Sequence, residues 1–284
     1  MTDVRVDLRR TSNQLLSGLS SDAMLLLQPL LERHELVFRA IIQRPHEVME
    51  HTYFIESGLV SMIAKTSQDR QVEIAVVGRE GMIGTMIVLG ADRSPDGGLV
   101  QVPGMALRIT TADLSNAMSA NPSIRARLLL YVQAYLVQVS QTALANSRGN
   151  VEQRLARWIA MAHDRVDGDV YEQTHEFLSL MLGVRRAGVT VALHNLEGEG
   201  LIRAKRGAIT ILDREGLNIY ANGLYGAPER EYARLLASPS LDPVAATPGH
   251  GSRLLESNCQ RVDTPHATIT EIASRKSIRR GRAL

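Results

Sequence analysis

Arg185 and Arg186, followed by Gly188, Thr190, His194 and Asn195, sit in the segment THEFLSLMLGVRRAGVTVALHNLEGEGLIR, and Arg203, Lys205 and Arg206 follow shortly after. A guanidinium can donate twice to guanine O6 and N7, a contact contributing about 1–3 kcal/mol of base discrimination, which makes Arg186 a candidate base reader. Cations on a hairpin lie instead against phosphates, where they add affinity and salt dependence without sequence information. Arg203, Lys205 and Arg206 suit that second task.

The elements needed to position these groups are legible around them. A first helix, Thr174 to Met181, ends where Gly183 permits a positive φ, and Val184 packs the corner. A second helix follows from Arg185 to Glu197, with Val189, Leu193 and Leu196 as its buried stripe. The remaining face is polar and basic, the division a helix-turn-helix over residues 174–197 requires. Gly188 lets that helix approach a partner closely. Gly198 and Gly200 stop it, Leu201-Ile202-Arg203 reads as a strand, Lys205-Arg206-Gly207 as a turn and Ala208 to Leu212 as the returning strand of a basic wing. The candidate DNA-contacting residues are therefore Thr174, Arg185, Arg186, Gly188, Thr190, His194, Arg203, Lys205 and Arg206.

Upstream, Glu47 to Ile109 reads as short strands (HTYFIESGLVSMIA, VEIAVVG, LVQV and ALRI) that fit a β-barrel or roll, preceded by helical flanks such as SSDAMLLLQPLLERHEL. Asn121-Pro122 predicts the start of a long helix, because Asn caps exposed amides and Pro has no amide to satisfy. Ile124, Leu128, Tyr131, Tyr135, Gln138 and Thr142 form one stripe of that helix, and Leu129, Val132, Leu136, Val139 and Ala143 a second. One stripe can pack on the β-domain and the other on a second copy, or both within one chain. Ser147-Arg148-Gly149-Asn150 reads as a hinge, after which VEQRLARWIAMAHDRV is helical, with Val151, Leu155, Trp158, Ile159 and Ala162 on its apolar side. The expected organisation is an α+β chain: β-roll sensor 13–120, dimerisation helix 121–146, winged helix-turn-helix 147–226 and disordered tail 227–284. The tail's last residues hold Arg275, Lys276, Arg279, Arg280 and Arg282, which could graze phosphates but read first as a solvated end.

Composition bounds the function classes. At 284 residues about two domains are expected, and 44% hydrophobic with 22% charged residues allows a sizeable core. A net charge of +2 does not advertise nucleic acid, so the position of the basic residues carries the signal. The single cysteine, Cys259, cannot form an intramolecular disulfide or supply an iron-sulfur cluster, and the N-terminus lacks a signal-peptide pattern. No uninterrupted apolar run reaches the roughly 18 residues of a spanning helix, so a cytoplasmic protein without membrane contact is expected. His34, His46 and His51 show no spacing that singles out a haem or metal ligand. Neither a Gly-rich phosphate loop nor a Ser/His/Asp or Cys/His grouping is present, so neither enzymatic activity nor a cofactor is expected.

From Val151 to Leu212 the order LARWIAMA, FLSLMLGVRRAGVTVALHNLEGEGLI and hairpin resembles the winged helix-turn-helix of the Crp/Fnr regulators. HTYFIESGLVSMI followed by VEIAVVGREGMIG resembles the same family's cyclic-nucleotide-type β-roll. Together the resemblance covers about residues 13–226. It implies a cytoplasmic transcription regulator that binds double-stranded DNA as a homodimer on an inverted repeat and works with RNA polymerase. It also implies that Arg186 reads a guanine, although Ala187 stands where the family usually has an acid, which leaves the half-site open. Family members that bind cyclic AMP use a Gly-Glu pair and an Arg-Ser or Arg-Thr pair. Here Arg93-Ser94 resembles the second pair, but Gly81-Met82-Ile83-Gly84 has Met82 where the glutamate is expected. Gly81, Met82, Gly84, Arg93 and Ser94 thus mark a possible effector pocket, but Arg93 is expected to point to solvent in the turn DRSPDGG, so an effector other than cyclic AMP, or none, is expected. The alternative is an effector-regulated protein-interaction module, which steep salt dependence of DNA binding would exclude.

Overall fold

The computed structural model describes residues 8–236, apart from Asp69 and Arg206. Near its start, the fully buried Asn13 caps α1 (Gln14–Ser17) by accepting from the Leu15 and Leu16 amides, while its own amide group donates to the Ile55 and Gly81 carbonyls at 2.8 Å each. Ser20 caps α2 (Ser21–Leu27). A 3-10 turn containing Pro29 then ends helical structure, because proline has no amide to continue it. The chain turns into β1 (Glu32–Leu36), which corrects the helical reading of SSDAMLLLQPLLERHEL: its last five residues pair antiparallel with Gly104 to Arg108.

The roll continues with β2 (Ile41–Gln43), β3 (His51–Ile55), β4 (Leu59–Lys65), β5 (Gln71–Val77), β6 (Met82–Ile83), α3 (Thr85–Val88), β7 (Gly97–Val102) and β8 (Gly104–Thr110). These form two antiparallel four-stranded sheets, ordered β1-β8-β3-β6 and β2-β7-β4-β5. Phe54, Val60, Leu107 and Val100 bury themselves between them. β-branched and aromatic residues gathered in short runs between polar turns are the reason β3, β4, β5, β7 and β8 were legible. β1, β2 and β6 are too polar or too short for that signal.

After α4 (Thr111–Ala120), Asn121 caps α5 (Pro122–Arg148) through the Ser123 amide. Ile124, Leu128, Tyr131 and Gln138 pack inward, and the buried Arg127 donates to the Leu15 and Gln14 carbonyls, fastening α1 to α5. From the second stripe Val132 is also buried, whereas Leu129 (39%), Leu136 (51%) and the neighbouring Leu144 (43%) stay exposed. By length and composition alone α5 could cross a membrane, which corrects the exclusion drawn from uninterrupted apolar runs; only a third of its most apolar stretch is buried in the chain.

The expected hinge narrows to Gly149-Asn150, because Ser147 and Arg148 complete α5 and Asn150 opens α6 (Val151–His163) with a capping box to Gln153. Next come β9 (Val170–Glu172), α7 (His175–Leu182), α8 (Arg186–Gly198), β10 (Ile202–Lys205), β11 (Ala208–Ile211) and α9 (Arg214–Tyr220). Their core, built on Leu155, Ile159, Leu193, Leu196 and Leu217, runs on into Leu59, Ile63 and Val76 of the roll. Residues 227–236, expected within a disordered tail, form α10 (Ala227–Leu236) instead. Its side chains Tyr232 and Leu236 pack against the core shared by α5 and the roll, which supplies the burial the local sequence lacks. Cys259 and the basic cluster of Arg275, Lys276, Arg279, Arg280 and Arg282 lie outside the described residues.

Candidate nucleic-acid interface

Thr174 caps α7, its hydroxyl oxygen accepting from the Phe177 amide at 3.2 Å. Gly183 then adopts φ 60° and ψ 34°, a left-handed conformation that a side chain would resist. This lets α7 and α8 meet at a bend of 104°. Ser179 holds the corner by donating its hydroxyl to the Val184 carbonyl at 2.6 Å. α8 runs one residue later at each end than its sequence pattern suggests, with Arg185 as the residue preceding its first turn.

Val189, Ala192, Leu193 and Leu196 are the buried face of α8. Arg185, Arg186, Thr190, Val191, His194 and Asn195 are exposed, and a Cβ built on the half-buried Gly188 meets open space. No side chain caps the first turn, so its free amides and the two arginines make the N-terminal end of α8 electropositive. Thr190 is held by His175 at 3.0 Å, and Asn195 donates to Glu152 at 3.2 Å.

In the wing, Lys205 pairs with Ala208, which places Lys205 in β10 and corrects its assignment to the turn. Arg203 and Lys205, two residues apart, share the exposed face of β10, while Ile202 points into the core. Arg206, the remaining wing candidate, lies outside the described residues. Glu197 accepts from the Ala204 amide at 2.8 Å and so fixes the wing to α8. A third strand, β9, pairs with β11 and was not read from the sequence. None of Arg185, Arg186, Arg203 and Lys205 makes an ion pair among the described residues, which leaves four cations available to an external anion.

The candidates on the roll are dispersed in role. Gly81 leaves room for the Tyr131 hydroxyl, which a Cβ there would meet at 2.2 Å. Met82 is buried in the core and Gly84 precedes α3. Arg93 is exposed and pairs with Asp92 at 2.9 Å; Ser94 accepts from the Asp96 amide. Burial and Arg108 lower the pKa of His34, whose ring lies tilted against that of Tyr53 at 5.1 Å. No cluster of three or more His, Cys, Asp or Glu able to hold a metal ion occurs among the described residues.

Two family profiles match the chain: a cyclic nucleotide-binding domain over residues 34–121 and a Crp-like helix-turn-helix domain over residues 153–220. The chain belongs to the Crp/Fnr family. Among solved structures, this Crp/Fnr protein is similar to FixK2 from Bradyrhizobium japonicum (15% identity, 69% of this chain and 98% of that one, TM-score 0.59). It is also similar to a CRP-family transcriptional regulator from Thermus thermophilus (17%, 68% and 99%, 0.57). A third relative in fold is the c-di-GMP responsive global regulator CLP of Xanthomonas campestris (18%, 68% and 99%, 0.55). No curated protein sequence matches.

In this Crp/Fnr chain the DNA-binding domain is docked on the roll through buried polar contacts. The Glu73 carboxylate on β5 accepts from Ser61 at 2.5 Å, Gln101 at 2.9 Å and the Trp158 indole of α6 at 2.8 Å. Burial raises its pKa to about 7 against the opposing pull of Ser61, Trp158 and Arg157. Nearby, the buried Arg165 meets Glu80 at 2.7 Å, and the more exposed Arg79 meets Asp167 at 2.6 Å. Sequence reading passed over this junction. Its signal was a lone glutamate in the apolar run VEIAVV.

Proposed function

We propose that the chain is a sequence-specific transcription regulator that acts as a homodimer on an inverted-repeat operator, with α8 in the major groove. The observation that carries this reading is the exposed, unpaired basic face at the start of α8, flanked by Arg203 and Lys205 of the wing. In this reading Arg186 reads a base, and Arg185, Thr190 and His194 line the groove while Thr174, Arg203, Lys205 and Arg206 contact the backbone. The side chain missing at Gly188 permits close approach. The exposed leucines of α5 provide the dimer seam, which would set two recognition helices about 34 Å apart. A cytoplasmic location and contact with RNA polymerase follow from this role. The reading includes no catalysis.

The test is binding of the purified protein to genomic fragments over a salt series, with and without cyclic AMP, beside Arg186→Ala. Selected fragments bound with steep salt dependence and lost in the variant are the expected result. Salt-insensitive or absent binding by both proteins would favour a protein-interaction role, and a requirement for cyclic AMP would overturn the reading that cyclic AMP is not the effector.

A further inference from the structure

Between the roll, α5 and α10 lies a cleft of about 340 Å³, within the size range of small-molecule sites. Four of the seven tyrosines in the chain, Tyr131, Tyr135, Tyr225 and Tyr232, line it, an aromatic concentration in an aromatic-poor protein. The wall contributed by α10 lies beyond both stretches matched by the family, so this cleft depends on an element those matches do not contain. Two of its lining residues carry buried polar atoms without hydrogen-bond partners: both carboxylate oxygens of Glu229 and Nε of Arg79.

Burying such groups unpaired is costly, and a cleft that gathers them is completed by whatever satisfies them. The other charges there are already engaged, and Glu229 lies in the field of the Arg165 and Arg157 guanidinium groups without hydrogen-bonding to either. Arg165 is held by Glu80, the Arg79 Nη2 by Asp167, and the Tyr225 hydroxyl by Asp164 at 2.5 Å. What is missing is a pair of N–H donors for Glu229 and an acceptor for Arg79, beside rings on which a flat molecule can stack.

We propose that this cleft binds a small planar ligand presenting adjacent N–H donors along one edge, of the amidine or aminopurine class. Such a ligand touches the roll, α5, α10 and the end of α6 together. Its influence on DNA rests on the reading above, whereas its binding does not.

The full chain, without DNA, is titrated with benzamidine, guanosine and benzoate by calorimetry and ligand-observed magnetic resonance. Benzamidine, guanosine or both should bind, benzoate with only acceptors should not, and Glu229→Gln should weaken binding roughly tenfold or more. Binding of benzamidine alone assigns the amidine class, and of guanosine alone the aminopurine class. Circular dichroism and melting check the fold of the variant. If Glu229→Gln does not fold, Glu229→Asp, which withdraws the carboxylate by one methylene, makes the same comparison. Arg186→Ala should bind the probes as the unaltered protein does, even if DNA reading fails. Silence from both donor probes at millimolar concentration, or binding indifferent to the Glu229 variants, overturns the proposal.

Discussion

Arg186 and Lys205 carry the same charge but are placed for different work. Arg186, on the first turn of the exposed face of α8, should determine which sequence is bound, so Arg186→Ala should cost about 1–3 kcal/mol on the preferred site and flatten discrimination at one base. Lys205, on the outer face of the wing, should weaken all fragments alike when changed to Ala, and lower the salt slope by about 1. Quantitative binding to preferred and scrambled fragments separates the two; equal loss on both from Arg186→Ala would exclude base reading. Glu73 belongs to this scale too. Its pKa is raised in the folded state, so the native protein binds the proton more tightly than the unfolded chain does. That stabilisation is complete below the ordinary glutamate range and is lost as pH rises through about 7. Melting temperature should therefore fall between pH 5 and 8, and Glu73→Gln should flatten part of the fall. Parallel curves for the two proteins would rule Glu73 out as the source.

At the level of elements, α5 has one face occupied by the roll and α10 and another still bearing Leu129, Leu136 and Leu144. Leu136→Arg should convert a dimer into a monomer in sedimentation while changing monomer melting little, since the side chain is half exposed in the single chain. An unchanged mass would mean that the seam lies elsewhere. The α5–α6 junction depends on caps. Asn150→Ala removes the capping box of α6 and should cost about 1 kcal/mol in a denaturant titration. The start of α5, the corner at Gly183 and the buried stripe of α8 were legible because caps, glycine and helical periodicity act within a few residues. β1 and α10 were not, because ERHEL and APEREYARLL take their stability from distant partners.

On the scale of the molecule, the roll and the helix-turn-helix domain share a continuous core, with the only tryptophan of the chain, Trp158, at their junction. Trp158 is buried and bonded to Glu73, so its emission should be blue-shifted and shielded from iodide; ready quenching in the native protein would mean the domains part in solution. α10 closes the same assembly, its Tyr232 hydroxyl donating to the Glu80 carbonyl at 2.7 Å. A chain ending at Gly226 should melt below one ending at Leu236. By itself the sequence determined the order of helices and hairpin in the reader from α6 to β11, though not β9 or α9, together with β3, β4, β5, β7 and β8 of the roll and the basic character of the α8 face. Periodicity, capping and turn chemistry are local and survive in a string of letters. Only the tertiary structure decided that Glu73 meets Trp158, that Arg165 meets Glu80 and that α10 walls a tyrosine-lined cleft. These pairings join residues 85 or more positions apart or depend on burial shared by several elements, and no local pattern encodes them.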